Sequence, residues 1–414
     1  MFARKSLRRF SFHRVRRNGR SDSRNRRKHK IRKVNNLVIW QFFLLELLIY
    51  IPRAFFSFVG NYFNELHFSD LQNGLLGSVA SIMVLFSNPF WMRFADKRVK
   101  NNVLAFVSMA SAALIWGVYS FKSFLPVLIM TFAIGFVWTA ILPLAESISI
   151  AQLNQRGFSF GKARMMGSIG FALAMIFFGY LKSDLVFFAI GSLAFLSIGL
   201  SALFIPKTHG YNVKKEKRKF SFKNLPGEFY VMLLLETLVI SSGNFGLYFF
   251  PILMKARGES VSYAGIAIAV HALSEVPFLF FADRIVTKLG IKKILVMASF
   301  AYGIRWILTW SVTNPALVIA FQAFEFFNFI AVYYAIWHYV NLKIEPSHRS
   351  DAQAIFWVVT IGISAIFGYI VGGWISNLFG VANGYLFFGA LSIITGIAYW
   401  IYEYSRSVRK LKMS

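Results

Sequence analysis

Apolar residues run along this chain in long blocks separated by short polar or basic segments. Residues 103–121 and 185–205 each reach the roughly 20 residues that a helix needs to cross a hydrocarbon core. Twelve such blocks are read, at approximately 36–59, 71–93, 103–121, 125–148, 163–181, 184–205, 228–253, 261–281, 292–312, 315–341, 354–378 and 382–404. In lipid each segment must satisfy its own backbone, and none shows the polar–apolar alternation of a barrel strand. The pattern predicts an all-α membrane protein with twelve transmembrane helices.

The pattern also repeats. Leu44-Leu45-Glu46-x-Leu48 opens the first half and Leu234-Leu235-Glu236-x-Leu238 the second. Phe94-Ala95-Asp96-Lys97 closes span two, and Phe281-Ala282-Asp283-Arg284 closes span eight. The two landmarks recur in the same order at offsets of 190 and 187 residues. The expected organisation is a basic tail at 1–35, a six-helix bundle at 36–205, a hydrophilic linker at 206–227, a second six-helix bundle at 228–404 and a short tail at 405–414.

Composition excludes the soluble alternatives. Of the 414 residues 57% are hydrophobic and 15% charged, too few polar groups to cover a water-facing surface of this size. The absence of cysteine removes disulfides and thiolate metal sites. No metal or cofactor motif, phosphate-cradling loop or nucleophile–base pattern stands out, so neither an enzyme nor an ATP-driven pump is expected. The net charge of +28 resembles a nucleic-acid footprint until its location is considered. Fifteen Lys/Arg fall within residues 1–33, and most others sit in loops on one side of the predicted bundle. A disordered cytoplasmic tail that touches anionic lipid fits this better than a nucleic-acid partner. The basic loops around Arg93–Asp96, Arg156, Lys207, Arg284 and Lys343 share their side with both termini, whereas the opposite loops hold only Lys122, Lys182, Lys255 and Arg257. The positive-inside bias then puts both termini in the cytoplasm of a bacterial-type plasma membrane.

Ionisable residues within spans carry the functional information, because a centrally placed charge costs about 2.5–3.5 kcal/mol on insertion scales. The set is Glu46, Arg53, Glu146, Arg164, Glu236, Glu275, Arg305 and Glu325. Five carboxylates face three arginines, so at least two must be protonated or reach water. Pro52 deletes a backbone hydrogen bond beside Arg53 and is expected to kink span one and aim that cation inward. Gln322 and Glu325 share a helical face at i, i+3. His271, at i, i+4 from Glu275, is read as a packing residue. Glu46 and Glu236 fall near the predicted helix starts, where capping competes with a role in transport.

Several of these residues sit in motifs of a known kind. Parallel six-helix repeats are the plan of major facilitator carriers. Phe160-Gly161-Lys162-Ala163-Arg164-Met165-Met166-Gly167-Ser168-Ile169-Gly170-Phe171, with Glu146 eighteen residues before Arg164, resembles helices four and five of the lactose permease family. Glu275-Val276-Pro277, the Asp283 loop, Arg305-Trp306 and Gln322 are similar to the phenylpropionate permease branch. The resemblance implies the major facilitator fold and a monomeric secondary carrier of a small organic solute: a sugar or oligosaccharide, a nucleoside or an aromatic acid. It assigns substrate binding to Glu146 and Arg164, with Phe171 where that family stacks a Trp, and Arg53 joins this set as an inward cation. The buried charges, with Gln322 and Glu325 on one helical face, point to proton coupling by Glu275, Arg305, Glu325 and Gln322, and the resemblance implies gating loops at Asp96 and Asp283. Two departures stand out: Glu325 replaces a family His, and Asn328 stands where the lactose permease has its proton-carrying Glu. Proton-driven efflux, and a non-transporting sensor or scaffold, are the alternatives.

Overall fold

The computed structural model describes residues 37–210 and 225–413. The basic tail and most of the linker lie outside them. Helices account for nearly all of the described chain: α1 (Leu37–Glu65), α2 (Asp70–Asp96), α3 (Lys100–Ser120), α4 (Phe124–Gln155), α5 (Phe160–Gly179), α6 (Asp184–Phe204), α7 (Gly227–Tyr248), α8 (Val261–Leu289), α9 (Ile291–Ser311), α10 (Pro315–Lys343), α11 (Asp351–Phe379) and α12 (Val381–Met413). Among the described residues eleven are long and apolar enough to cross a membrane. The other is α8, which begins with the apolar segment Val261–Glu275.

Local signals set the helix boundaries. Ser69 and Gln72 form a reciprocal capping box at the start of α2, and Asn314 caps α10 through the backbone N–H groups of Ala316 and Leu317. Gly380, at φ +86°, turns the chain between α11 and α12 in a conformation that side chains disfavour. Four helices depart from simple rods, α4 among them, interrupted at Thr139 and Ala140. α1 is interrupted at Ile49 and Tyr50, just before Pro52. α10 passes through a 3₁₀ segment, Gln322–Phe327, before resuming at Phe329, and α11 contains a π-helical turn, Val358–Ile363. α12 runs to Met413, beyond the expected end at 404, because Arg406 of its last turns pairs with Glu228 of α7 at 2.5 Å.

The two halves repeat in space as in sequence. α3 packs on α6 and α9 on α12; α1 packs on α5 and α7 on α11. Gly170 of α5 presses on the Leu47 carbonyl of α1, and Gly368 of α11 presses on the Ser241 carbonyl of α7. A side chain at either position would collide with backbone, so glycine lets the helices approach. Large apolar side chains such as Leu173, Leu193, Phe204 and Trp400 point outward, as lipid requires.

The halves meet where α2 packs on α11 and α5 on α8. Their polar contacts cluster at the end opposite the chain termini, the far face. There Tyr248 donates to Asn73 Oδ1 at 2.9 Å, Asn73 donates to the Gly60 carbonyl at 2.8 Å, and Lys255 pairs with Glu65 at 3.2 Å. Gly74 lies against the Tyr369 carbonyl, and Gly179 faces Gly265.

Candidate functional site

Two clusters of charge lie inside the bundle. In the first half, Arg164 of α5 and Glu146 of α4 form an ion pair, Nε to Oε1, of 3.2 Å. Their side chains are 37% and 28% exposed, so the pair borders open space. Tyr50, at the interruption of α1, donates to Glu146 at 3.5 Å, and the Arg164 guanidinium lies 4.3 Å from the Tyr50 ring centroid. Phe171 sits two turns beyond Arg164 on α5, half-buried against the apolar core. Arg53 is exposed, one turn past Tyr50, and its charge acts on Glu146 in its own half and on His271 and Glu275 across the interface.

In the second half the charges are sealed. Arg305 of α9 and Glu325 of α10 are both fully buried and directly paired. Gln322 Oε1 accepts from Arg305 Nε at 2.9 Å and from Nη2 at 2.7 Å, and its own amide donates to the Val318 carbonyl at 2.9 Å. The second Glu325 oxygen accepts the Phe329 N–H at 3.1 Å, where α10 resumes after its 3₁₀ segment. The break in α10 therefore supplies a backbone donor to a buried carboxylate, as discontinuous helices do in carriers.

His271 belongs to this network. Its Nδ1 lies 3.1 Å from Arg305 Nη2 and 3.2 Å from Glu325 Oε2. The packing role expected from sequence is thus incomplete; the i, i+4 spacing to Glu275 was the available signal. Tyr50 carried no comparable signal, since tyrosines abound in apolar helices. Glu275 is half-buried, and Arg305 pairs with Glu325 rather than with it. The charges of Glu325, Arg53, Arg164 and Arg305 all act on Glu275, which places it between the two clusters.

Donor atoms of His271, Glu275 and Glu325 lie within 4.8 Å of one another, close enough to hold a metal ion. The guanidinium of Arg305 already occupies Glu325 and His271 Nδ1. A cation there would face a fixed positive charge, so the group is an ion-pair network by its chemistry.

Asp96 ends α2 and lies 3.8 Å from Lys100. The turn after it is held by the first residues of the linker: Lys100 N–H donates to the Thr208 carbonyl at 2.9 Å and Gly210 N–H to the Arg98 carbonyl at 2.9 Å. Asp283 falls within α8, and its side chain lies outside the described residues. A cavity of about 310 Å³ opens at the far face beside Asn61, Glu65, Lys182 and Asp184. It holds none of the predicted binding residues and belongs to the far-face closure.

Comparison with known proteins agrees with this architecture. The chain is 25% identical to the maltose permease of Geobacillus stearothermophilus, over 84% of this chain and 90% of the relative. It is 26% identical to the nucleoside permease NupG of Escherichia coli, over 67% of this chain and 72% of the relative, and 23% identical to the lactose permease of Citrobacter freundii, over 87% and 93%. Among solved structures, a single-residue variant of the nucleoside transporter NupG superposes with a TM-score of 0.81 at 19% identity, covering 88% of this chain and 99% of that one. A D-xylose-proton symporter superposes at 0.63 and 15% identity, covering 88% and 96%. The model of the MFS_1 like family matches residues 51–387, and this multi-pass membrane protein belongs to that family, which makes it a transporter and not an enzyme.

Proposed function

We propose that the chain is a proton-coupled symporter that imports a small polyhydroxylated solute, a sugar or a nucleoside, by alternating access. The observation that carries this reading is the contrast between a water-accessible ion pair, Glu146–Arg164, and a sealed one, Arg305–Glu325, with Glu275 between them. A solute with several hydroxyl groups can exchange places with water at this site, donating charge-assisted hydrogen bonds to Glu146 and accepting them from Arg164 and Arg53. Phe171 would offer the apolar face against which the C–H side of a ring packs. The printed names of the relatives, permeases for maltose, lactose and nucleosides, favour this class over an aromatic acid.

Coupling falls to the second half. A dry carboxylate held by Arg305 keeps its charge only while that pair persists. When α9 and α10 shift against each other as the carrier changes state, Arg305 and Glu325 separate, and Glu325, with Glu275 beside it, takes up a proton. With the far face closed, the solute path leads toward the termini, and the basic loops there make that side cytoplasmic.

The test uses proteoliposomes loaded with maltose or uridine. Glu325→Gln, neutral at any pH, should retain solute exchange down a gradient and lose accumulation driven by an imposed pH gradient. Accumulation equal to that of the unaltered protein would transfer the coupling role away from Glu325. For orientation, a reporter fused after Ser414 should read cytoplasmic and one within residues 61–70 external; the reverse result would invert the assigned direction.

A further inference from the structure

Two carboxylates outside the ion pairs are buried completely in the bundle: Glu46 of α1, which the charges of Glu146 and Arg164 reach, and Glu236 of α7, which joins neither cluster. They repeat each other: Glu236 lies nine residues past Gly227, the first residue of its helix, and Glu46 nine past Leu37, where the described part of α1 begins. Influence of the helix start fades within the first turn, so capping does not account for them. Glu46 is buried near Ser149 of α4 without a closed hydrogen bond. Glu236 has a closed contact, and its geometry is informative.

That contact is with Thr360 Oγ1, which lies in the π-helical turn of α11. π turns inside α-helices recur at functional sites. The same Thr360 oxygen is 2.8 Å from the Phe356 carbonyl. A hydroxyl has one hydrogen to donate, and a carbonyl oxygen can only accept. If Glu236 were ionised, that hydrogen would face two acceptors, and one contact would set lone pair against lone pair. If Glu236 carries a proton, both contacts are hydrogen bonds: carboxyl to Thr360, and Thr360 to Phe356. The surroundings agree. Among the described residues no Lys, Arg or His charge from the helices packed on α7 acts on Glu236, and Tyr333 of α10 is the titratable group that faces it. The other carboxyl oxygen, Oε2, has no partner.

We propose that Glu236 is a proton-binding site of the second half, separate from the Arg305–Glu325 network and occupied in this conformation. Releasing the proton breaks the Glu236 O–H bond, passes the proton to water and leaves a carboxylate. Both the water and the charge require α7 and α11 to part. α11 also carries the far-face contact with α2 through Tyr369 and Gly373, so occupancy of Glu236 is tied to the state in which that face is closed.

Infrared spectroscopy of the purified full chain in nanodiscs at neutral pH tests this without any solute. The unaltered protein should show the C=O stretching band of a buried protonated carboxyl group. Glu236→Gln should lose that band, and Glu325→Gln should keep it. Thr360→Val, which retains shape and removes the hydroxyl, should shift the band to the position of an acid without a hydrogen-bond partner, and serves if Glu236→Gln does not fold. A band that survives Glu236→Gln, or stays in place in Thr360→Val, overturns the proposal. A band lost only in Glu325→Gln would place the proton in the coupling network, overturning this site while leaving the transport reading intact.

Discussion

The two ion pairs of this bundle join the same kinds of residue and differ in access to water. Glu146–Arg164 borders open space and is tied down by one long hydrogen bond from Tyr50 and by the Tyr50 ring. Arg305–Glu325 is fully buried, and the pair's own polar atoms are bonded: Gln322 fills two guanidinium donors, His271 approaches a third, and the Phe329 N–H takes the far carboxylate oxygen. An exposed pair contributes little to stability and can open for a ligand. A buried pair has surrendered its hydration, so removal of one partner strands the other in a medium that cannot solvate it. One pair is therefore suited to exchange partners with a solute, and the other to hold a state.

The largest expected effect separates the pairs by stability. Arg305→Met should destabilise the protein by about 3–5 kcal/mol, because it leaves Glu325 buried without its cation. The double variant Arg305→Met/Glu325→Gln should recover much of that loss. Arg164→Ala should cost no more than about 1 kcal/mol. Thermal unfolding in detergent measures all three, and equal losses for Arg305→Met and Arg164→Ala would erase the distinction.

Next comes ligand binding. Glu146→Gln and Arg164→Ala should each lower solute affinity by at least about tenfold, since each removes a charge-assisted hydrogen bond of about 1.5–3 kcal/mol. A thermal-shift screen with maltose, lactose and uridine, followed by calorimetry on whichever binds, checks this. Unchanged affinity in both variants would make the open pair structural.

The smallest effect concerns the far face. In Gly74→Ala the new methyl group would meet the Tyr369 carbonyl and sit 3.1 Å from Gly373 Cα, backbone that cannot easily yield. The far face should open more often, and about 1 kcal/mol of bias corresponds to about a fivefold change in population. The chain has no cysteine, so Ser262→Cys, buried beside Gly179 where α8 meets α5, provides a single label site on that face. Its labelling rate should rise in Gly74→Ala; an unchanged rate would show that α2 and α11 slide without parting.

What was legible in the sequence is what a bilayer imposes locally. A span of given length and apolarity has to be a helix, so twelve helices and their approximate limits followed from runs of residues alone. The repeated Glu46/Glu236 and Asp96/Asp283 landmarks exposed the two halves because duplicated folds keep their spacing. The Glu146–Arg164 pairing was also within reach, since it rests on a motif and a fixed separation.

Tertiary structure decided the rest. Whether a charge inside a span is open or sealed depends on which neighbour covers it, and no spacing along one helix reports that. Hence His271 was assigned to packing, while the fold brings its ring between Arg305 and Glu325 from another helix. Arg305 has two carboxylates within its field and is paired with Glu325, because the 3₁₀ segment of α10 turns that side chain toward α9. Glu236 looks like a residue near a helix start until α11, deformed into a π turn, sets Thr360 against it. Sequence determines how many charges enter the membrane; only the packing of helices determines which of them find a partner, water or a proton.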